Sequence, residues 1–160
     1  MILQIGDWKF EIDMERTMAY SAAEAAEHCD CAYCRNFYTA VDEAYPGLRP
    51  FLAQFGIDIE APEEMCPFAG ERILYDPTYK VYGSIEQFGS FEMQCGLVNM
   101  VARASEDDGD CFLLDCYEVF LPWILDEPFE EVVSTANEPS FLKKMWDRLL
   151  GRAKKSKFTS

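Results

Sequence analysis

Seven cysteines are spread over 160 residues, and three of them, Cys29, Cys31 and Cys34, fall inside the run His28-Cys29-Asp30-Cys31-Ala32-Tyr33-Cys34. Thiols at i and i+2 in an extended turn, with a third three residues later at a helix start, can converge on one point, as a tetrahedral zinc ion requires of its thiolate ligands. A fourth ligand must then come from elsewhere. His28 adjoins Cys29 and needs an awkward loop to reach the same ion, whereas Cys66, Cys95, Cys111 or Cys116 can approach from the second half of the chain. The expected ligand set is Cys29, Cys31, Cys34, His28 and Cys66, with zinc the candidate ion and no other cofactor expected. No second Cys-x-x-Cys occurs, so the paired signature of a zinc ribbon is half present.

Two other readings of these thiols compete. Cys31 and Cys34 share a helical face with Tyr38, Val41 and Tyr45, where a thiol acts as a small apolar filler. Alternatively Cys31 and Cys34 form a redox pair at a helix start, although Asp30 opposes the thiolate and no buried strand precedes it. Other catalytic equipment is thin. His28 is the only histidine, so any nucleophilic triad must run through it, and Cys29 beside it is badly placed to use its ring. The chain has no nucleophile elbow, phosphate-binding glycine loop or dinucleotide fingerprint. The acidic pairs Glu63-Glu64 and Asp107-Asp108 sit in predicted loops, and residues 106–110 lack the length and periodicity of a calcium loop. Arg35, Arg49, Arg72 and Arg103 are separated and read as surface ion-pair partners. No catalytic residue is assigned, and the balance leans away from an enzyme.

Charge narrows the partners. Twenty-nine acidic against fourteen basic side chains give a net charge of −15, a field that repels nucleic acid and anionic lipid and favours a basic protein. The imbalance is polarised: residues 141–160 carry +6, residues 1–140 carry −21. No apolar run approaches the roughly eighteen residues of a membrane span, and Met1–Lys9 lacks the zones of a secretory signal. A cytoplasmic location with reduced thiols is expected, because an odd cysteine count without an export signal argues against a disulfide framework. The leading functional expectation is an acidic, non-enzymatic protein-binding module, such as an inhibitor or immunity-type protein covering a basic partner. The alternative is a zinc-stabilised or thiol-redox domain built on Cys29, Cys31 and Cys34.

These residues must be held by elements that the pattern predicts in outline. Gly6-Asp7 suits a turn between Ile2–Ile5 and a strand in which Trp8, Phe10, Ile12 and Met14 alternate with charged residues, with a less definite continuation to Tyr20. Ser21-Ala22-Ala23-Glu24 has capping-box spacing for a short helix, and Asp30 is placed to cap a second helix that Pro46-Gly47 stops. Leu48, Phe51, Leu52 and Phe55 predict a third helix ending at Gly56, with Ile57 as the apolar partner of that cap. Residues 57–70 read as a loop and a seam within one domain spanning 1–151. Short strands follow at 72–75 and 79–88, divided by an Asp76-Pro77 turn, with Gly83 marking a bulge or close approach. Strands at 97–104 and 111–120 should pair antiparallel across the acidic turn at 106–110. Trp123–Leu125 reads as a buried anchor, Phe141–Leu150 as an amphipathic helix, and 152–160 as a basic flexible tail. The sum is an α+β fold, a mostly antiparallel sheet with helices packed on one face.

Cys31-Ala32-Tyr33-Cys34-Arg35-Asn36-Phe37-Tyr38, with Tyr45-Pro46 and Phe51-Leu52 to Phe55-Gly56-Ile57-Asp58, resembles a small family of uncharacterised bacterial proteins. The resemblance covers about thirty residues and implies a bacterial cytoplasmic origin. It assigns no chemistry to any residue.

Overall fold

Strands β1 (Ile2–Ile5) and β2 (Trp8–Ile12) meet across Gly6-Asp7 with Ile5 opposite Trp8, and Gly6 takes the positive φ (59°) that so tight a turn requires. The period-two pattern holds within β2: Trp8, Phe10 and Ile12 are buried while Lys9 and Glu11 face water. It does not extend to Met14. The computed structural model describes residues 1–70 and 72–127, and in it the chain enters helix α1 (Met14–Ala26) directly. Asp13 caps that helix by accepting the Arg16 N–H at 3.0 Å. The expected capping box at Ser21 is therefore corrected. Ser21 lies buried inside α1, and its Oγ accepts the Asp58 N–H at 2.7 Å.

Helices α2 (Ala32–Ala44) and α3 (Leu48–Ala53) are separated at Pro46-Gly47 as the sequence predicts. The α3 ending also follows expectation: Gly56 has φ 80° and Ile57 donates back to the Leu52 carbonyl at 3.3 Å. The cap of α2 differs. Cys31 occupies the N-cap position, and the Asp30 carboxylate instead lies 3.6 Å from Arg35 Nη1.

The expected loop at 57–70 holds a strand, β3 (Glu64–Phe68), and Ile57, Ile59 and Ala61 before it are buried. Pro62 and Pro67 suggested breakage, but Pro67 pairs with Tyr75 at the sheet margin, where proline is tolerated. The two strands expected at 72–75 and 79–88 are one, β4 (Ile73–Gln87). It is followed by β5 (Met93–Cys95), β6 (Val98–Ala104), β7 (Cys111–Tyr117) and β8 (Val119–Leu121). Every pairing is antiparallel, in the order β1-β2-β4-β7-β6-β5, with β3 and β8 also on β4.

Asp76-Pro77 does not end β4 because the opposing chain gives way there. β4 pairs β8 through residues 73–75 and β7 through 78–82, and between them Glu118 takes φ 63° and donates its N–H to the Asp76 carboxylate at 3.0 Å. That same irregularity splits the single strand expected at 111–120. Gly83 is a close approach as predicted: a Cβ there would sit 2.0 Å from the Glu11 carbonyl oxygen.

Tyr75, Tyr79 and Val81 of β4 face the helices and are fully buried, while alternate residues stay partly exposed. Phe37 of α2 packs on Tyr75, and Phe55 packs on Phe10, so the helices cover one side of the sheet as expected of this α+β fold. Trp123, expected buried, is half-buried against Tyr33, with Ile124 beside it exposed. Among the described residues no helix is long and apolar enough to cross a membrane. The helix expected at 141–150 and the basic tail at 152–160 lie outside the described residues.

Candidate metal centre

The thiol segment crosses from the end of α1 to the start of α2, and the structure closes it into a cluster. The Sγ atoms of Cys29, Cys31 and Cys34 all lie within 4.8 Å of one another. The backbone of Cys31 is extended (φ −70°, ψ 158°) at the N-cap of α2, and Cys34 sits in the first helical turn after it. Cys29 and Cys31 are exposed and Cys34 is buried. The expectation that both Cys31 and Cys34 are core fillers is thus met only by Cys34.

Several anchors fix this turn against the sheet. The Tyr75 hydroxyl donates to the Tyr33 carbonyl at 2.8 Å. Asn36, fully buried, accepts the Ile124 N–H at 2.8 Å and donates to the Pro122 carbonyl at 3.0 Å and to the Tyr75 oxygen at 3.3 Å. Arg35 donates to the Asp30 carbonyl at 2.6 Å and pairs with Glu127. Cys34 is thereby set by a helix pinned on both sides, and Cys31 by the entry to it.

The three thiols are electrically unequal. The Cys31 backbone N–H and the Cys31 and Cys34 thiols donate to Cys29 and lower its pKa, overriding the opposing effects of desolvation and of the Asp30 charge. Burial raises that of Cys34, and its hydrogen bonds with Cys31 and Cys29 raise it further. Cys29 is therefore the more readily ionised of the two and Cys34 the less.

Beside the cluster lies a pocket of about 300 Å³ whose wall includes His28, Tyr38, Glu24, Glu27, Glu60, Glu63 and Glu64. His28 stacks on Tyr38 with ring centroids 4.6 Å apart, and its Nδ1 is 4.0 Å from Glu60 Oε2. Glu60 is held in turn by Arg49, at 3.3 Å from its other oxygen. Burial pushes the Tyr38 phenol up, and the neighbouring Cys34, Cys29 and Glu60 charges add to it.

Of the five expected ligands, three converge. His28 shares the pocket but stands outside the thiol group. Cys66 is not brought to the cluster. Its strand neighbours Met65 and Pro67 line the pocket, so Cys66 points to the other face of β3, opposite Asp76. Cys111 and Cys116 are buried in the sheet and Cys95 is half-buried; all seven cysteines are free thiols. Glu60, Tyr38, Asn36 and Tyr75 were not read as site residues. Glu60 and Tyr75 come to the thiols only through packing, whereas Tyr38, on the helical face of Cys34, and Asn36, two residues after it, had local clues.

No protein-family model matches the chain, and no curated protein or solved structure matches it either.

Proposed function

We propose that the protein binds a thiophilic metal ion, zinc in the first instance, through Cys29, Cys31 and Cys34. The observation that carries this reading is the convergence of three sulfurs at the edge of an acid-walled pocket. A tetrahedral zinc with Zn–S near 2.3 Å sets its sulfurs roughly 3.8 Å apart. Small side-chain rotations of the two exposed cysteines close the present spacing to that value. The pocket carboxylates disfavour clustered thiolates and are relieved by a cation among them. A fourth ligand would have to come from the adjoining pocket, by His28 leaving its stack on Tyr38 or by water.

The test is a zinc titration of reduced, metal-free protein against a chromophoric chelator. Stoichiometric binding weakened about 100-fold or more in each of Cys29→Ser, Cys31→Ser and Cys34→Ser supports the site, since each removes one tether of a chelate. Binding no tighter in wild type than in the three variants would exclude it.

A second reading is the acidic, non-enzymatic module for a basic protein. Supporting it, residues 1–140 carry −21, and Phe88 and Phe91 are 60% and 82% exposed at the mouth of an open groove floored by Trp8. A salt-sensitive complex with a basic protein, weakened by Phe91→Ser, is the expected result; failure to recover any such complex at low salt counts against it.

A further inference from the structure

We infer that the three-sulfur site takes a trivalent thiophilic ion, arsenic(III) or antimony(III), in preference to zinc. This rests on the proposed thiol site and concerns which ion suits it. The first argument is ligand count. Among the described residues, three sulfurs form the cluster and no histidine or carboxylate atom joins them. Cys66 faces the far side of β3, and His28 is stacked on Tyr38 beside Glu60. Structural zinc is almost always four-coordinate. A trivalent arsenic or antimony centre makes three bonds to sulfur and fills its fourth corner with its own lone pair, so three thiols complete it.

The second argument is charge. Three thiolates with a trivalent centre form a neutral group, whereas with zinc they leave a net charge of −1. That residual charge would sit against the buried Cys34, 8% exposed, and at a pocket that Glu60 also lines. The neutral complex avoids this.

The third argument is the reaction itself. The trihydroxide condenses with three thiols: three bonds from the element to oxygen and three S–H bonds break, three bonds from the element to sulfur and three O–H bonds form, and three waters leave. The element stays trivalent, no thiol is oxidised, and no proton is left in the pocket. Cys29 and Cys31 are exposed, so the trihydroxide can reach them first and pass to Cys34.

The experiment uses the full reduced chain. Arsenite is titrated into metal-free protein and into zinc-loaded protein, following the sulfur-to-arsenic absorption, the intact mass, and the number of thiols left reactive. The expected result is one arsenic per chain with loss of three hydrogens, three of the seven thiols protected, and zinc displaced. Cys29→Ser, Cys31→Ser and Cys34→Ser should each weaken arsenite binding about 100-fold or more, while Cys66→Ser leaves it unchanged. Circular dichroism of each variant separates lost binding from lost folding. Zinc bound through the three cysteines with arsenite failing to displace it, or arsenite protecting only two thiols, overturns the preference and leaves the metal site standing. Neither ion bound through these cysteines removes both.

Discussion

Asn36 is the residue through which the fold holds the cysteine-bearing helix, and substituting it gives a graded test of the whole arrangement. Asn36→Ala deletes three hydrogen bonds, from the Ile124 N–H at 2.8 Å, to the Pro122 carbonyl at 3.0 Å and to the Tyr75 oxygen at 3.3 Å. Each is worth about 1 kcal/mol net, and where the partner left behind is buried that figure becomes about 1–3 kcal/mol. A loss of about 3–4 kcal/mol is expected. Asn36→Asp keeps the shape and the Ile124 bond but replaces the donor facing the Pro122 carbonyl with a second oxygen. The Tyr75 hydroxyl offers no rescue, since it already donates to Tyr33. The isosteric change should therefore be at least as harmful as truncation, about 3–5 kcal/mol, because it strands a charge at a fully buried position. Urea unfolding of metal-free protein, followed by tryptophan fluorescence, measures both at constant m. The Cys34 thiol should also become more reactive toward alkylation as α2 loosens. An Asn36→Asp variant within about 0.5 kcal/mol of wild type would refute the reasoning, since it would mean that solvent or a different amide orientation serves this position.

Gly83→Ala should cost about 3 kcal/mol or more, because φ is 137° and the new Cβ meets the Glu11 carbonyl at 2.0 Å, whereas Gly109→Ala, with nothing within 4 Å, should be neutral in thermal melting. Equal effects of the two would contradict the β2–β4 approach. The lowered pKa of Cys29 and the raised pKa of Cys34 predict that iodoacetamide labels Cys29 first and keeps labelling it as pH falls below the ordinary thiol range; peptide mapping showing Cys34 labelled first would reverse the assignment. Burial holds Tyr75 up to about 12 and Tyr79 well above its ordinary value. Their folded pKa values lie above the unfolded one, so the stability they contribute is complete below about pH 10 and is lost as pH rises through about 12. Phenolate absorbance should show these two ionising only as circular dichroism is lost; all eight tyrosines titrating together in folded protein would contradict their burial.

The parts of the fold carried by short-range chemistry were legible in the sequence. Gly6-Asp7, the Trp8–Ile12 alternation and the Gly56-Ile57 cap each act through neighbours within a few residues, and each appears as read. What was not legible depended on distant partners. Ser21 has the chemistry of a cap but is recruited by Asp58, thirty-seven positions away, while Asp13 does the capping. Asp76-Pro77 looks like a break until the bulge at Glu118 is placed opposite it. At the site, the spacing of Cys29, Cys31 and Cys34 allowed convergence as one of three readings, beside core packing and a redox pair, and the sulfurs do converge. The position of Cys66 was not predictable, because its side follows from the strand register of a segment read as a loop. Glu60 escaped for the same reason, since nothing local relates it to the thiols, whereas Tyr38 lay on the helical face of Cys34 and was read there as core packing.

The location of the cluster also bears on what a bound ion does for the protein. Small metal-folded domains lack an adequate core and unfold when stripped. Here Phe10, Phe37, Phe55, Tyr75, Tyr79 and Phe112 are fully buried in a core cluster to which Cys29, Cys31 and Cys34 do not belong. The helices are joined to the sheet by Asn36, Tyr75 and Thr17, whose Oγ1 accepts the Tyr82 N–H at 3.1 Å. An ion at Cys29, Cys31 and Cys34 would therefore stabilise one turn and its approach, by an amount set by its concentration relative to its dissociation constant, while the sheet stands without it. A site whose occupancy is not a condition of folding can be emptied and refilled, and two of its three sulfurs are already open to solvent. That favours a protein that captures its ion over one that is built around it.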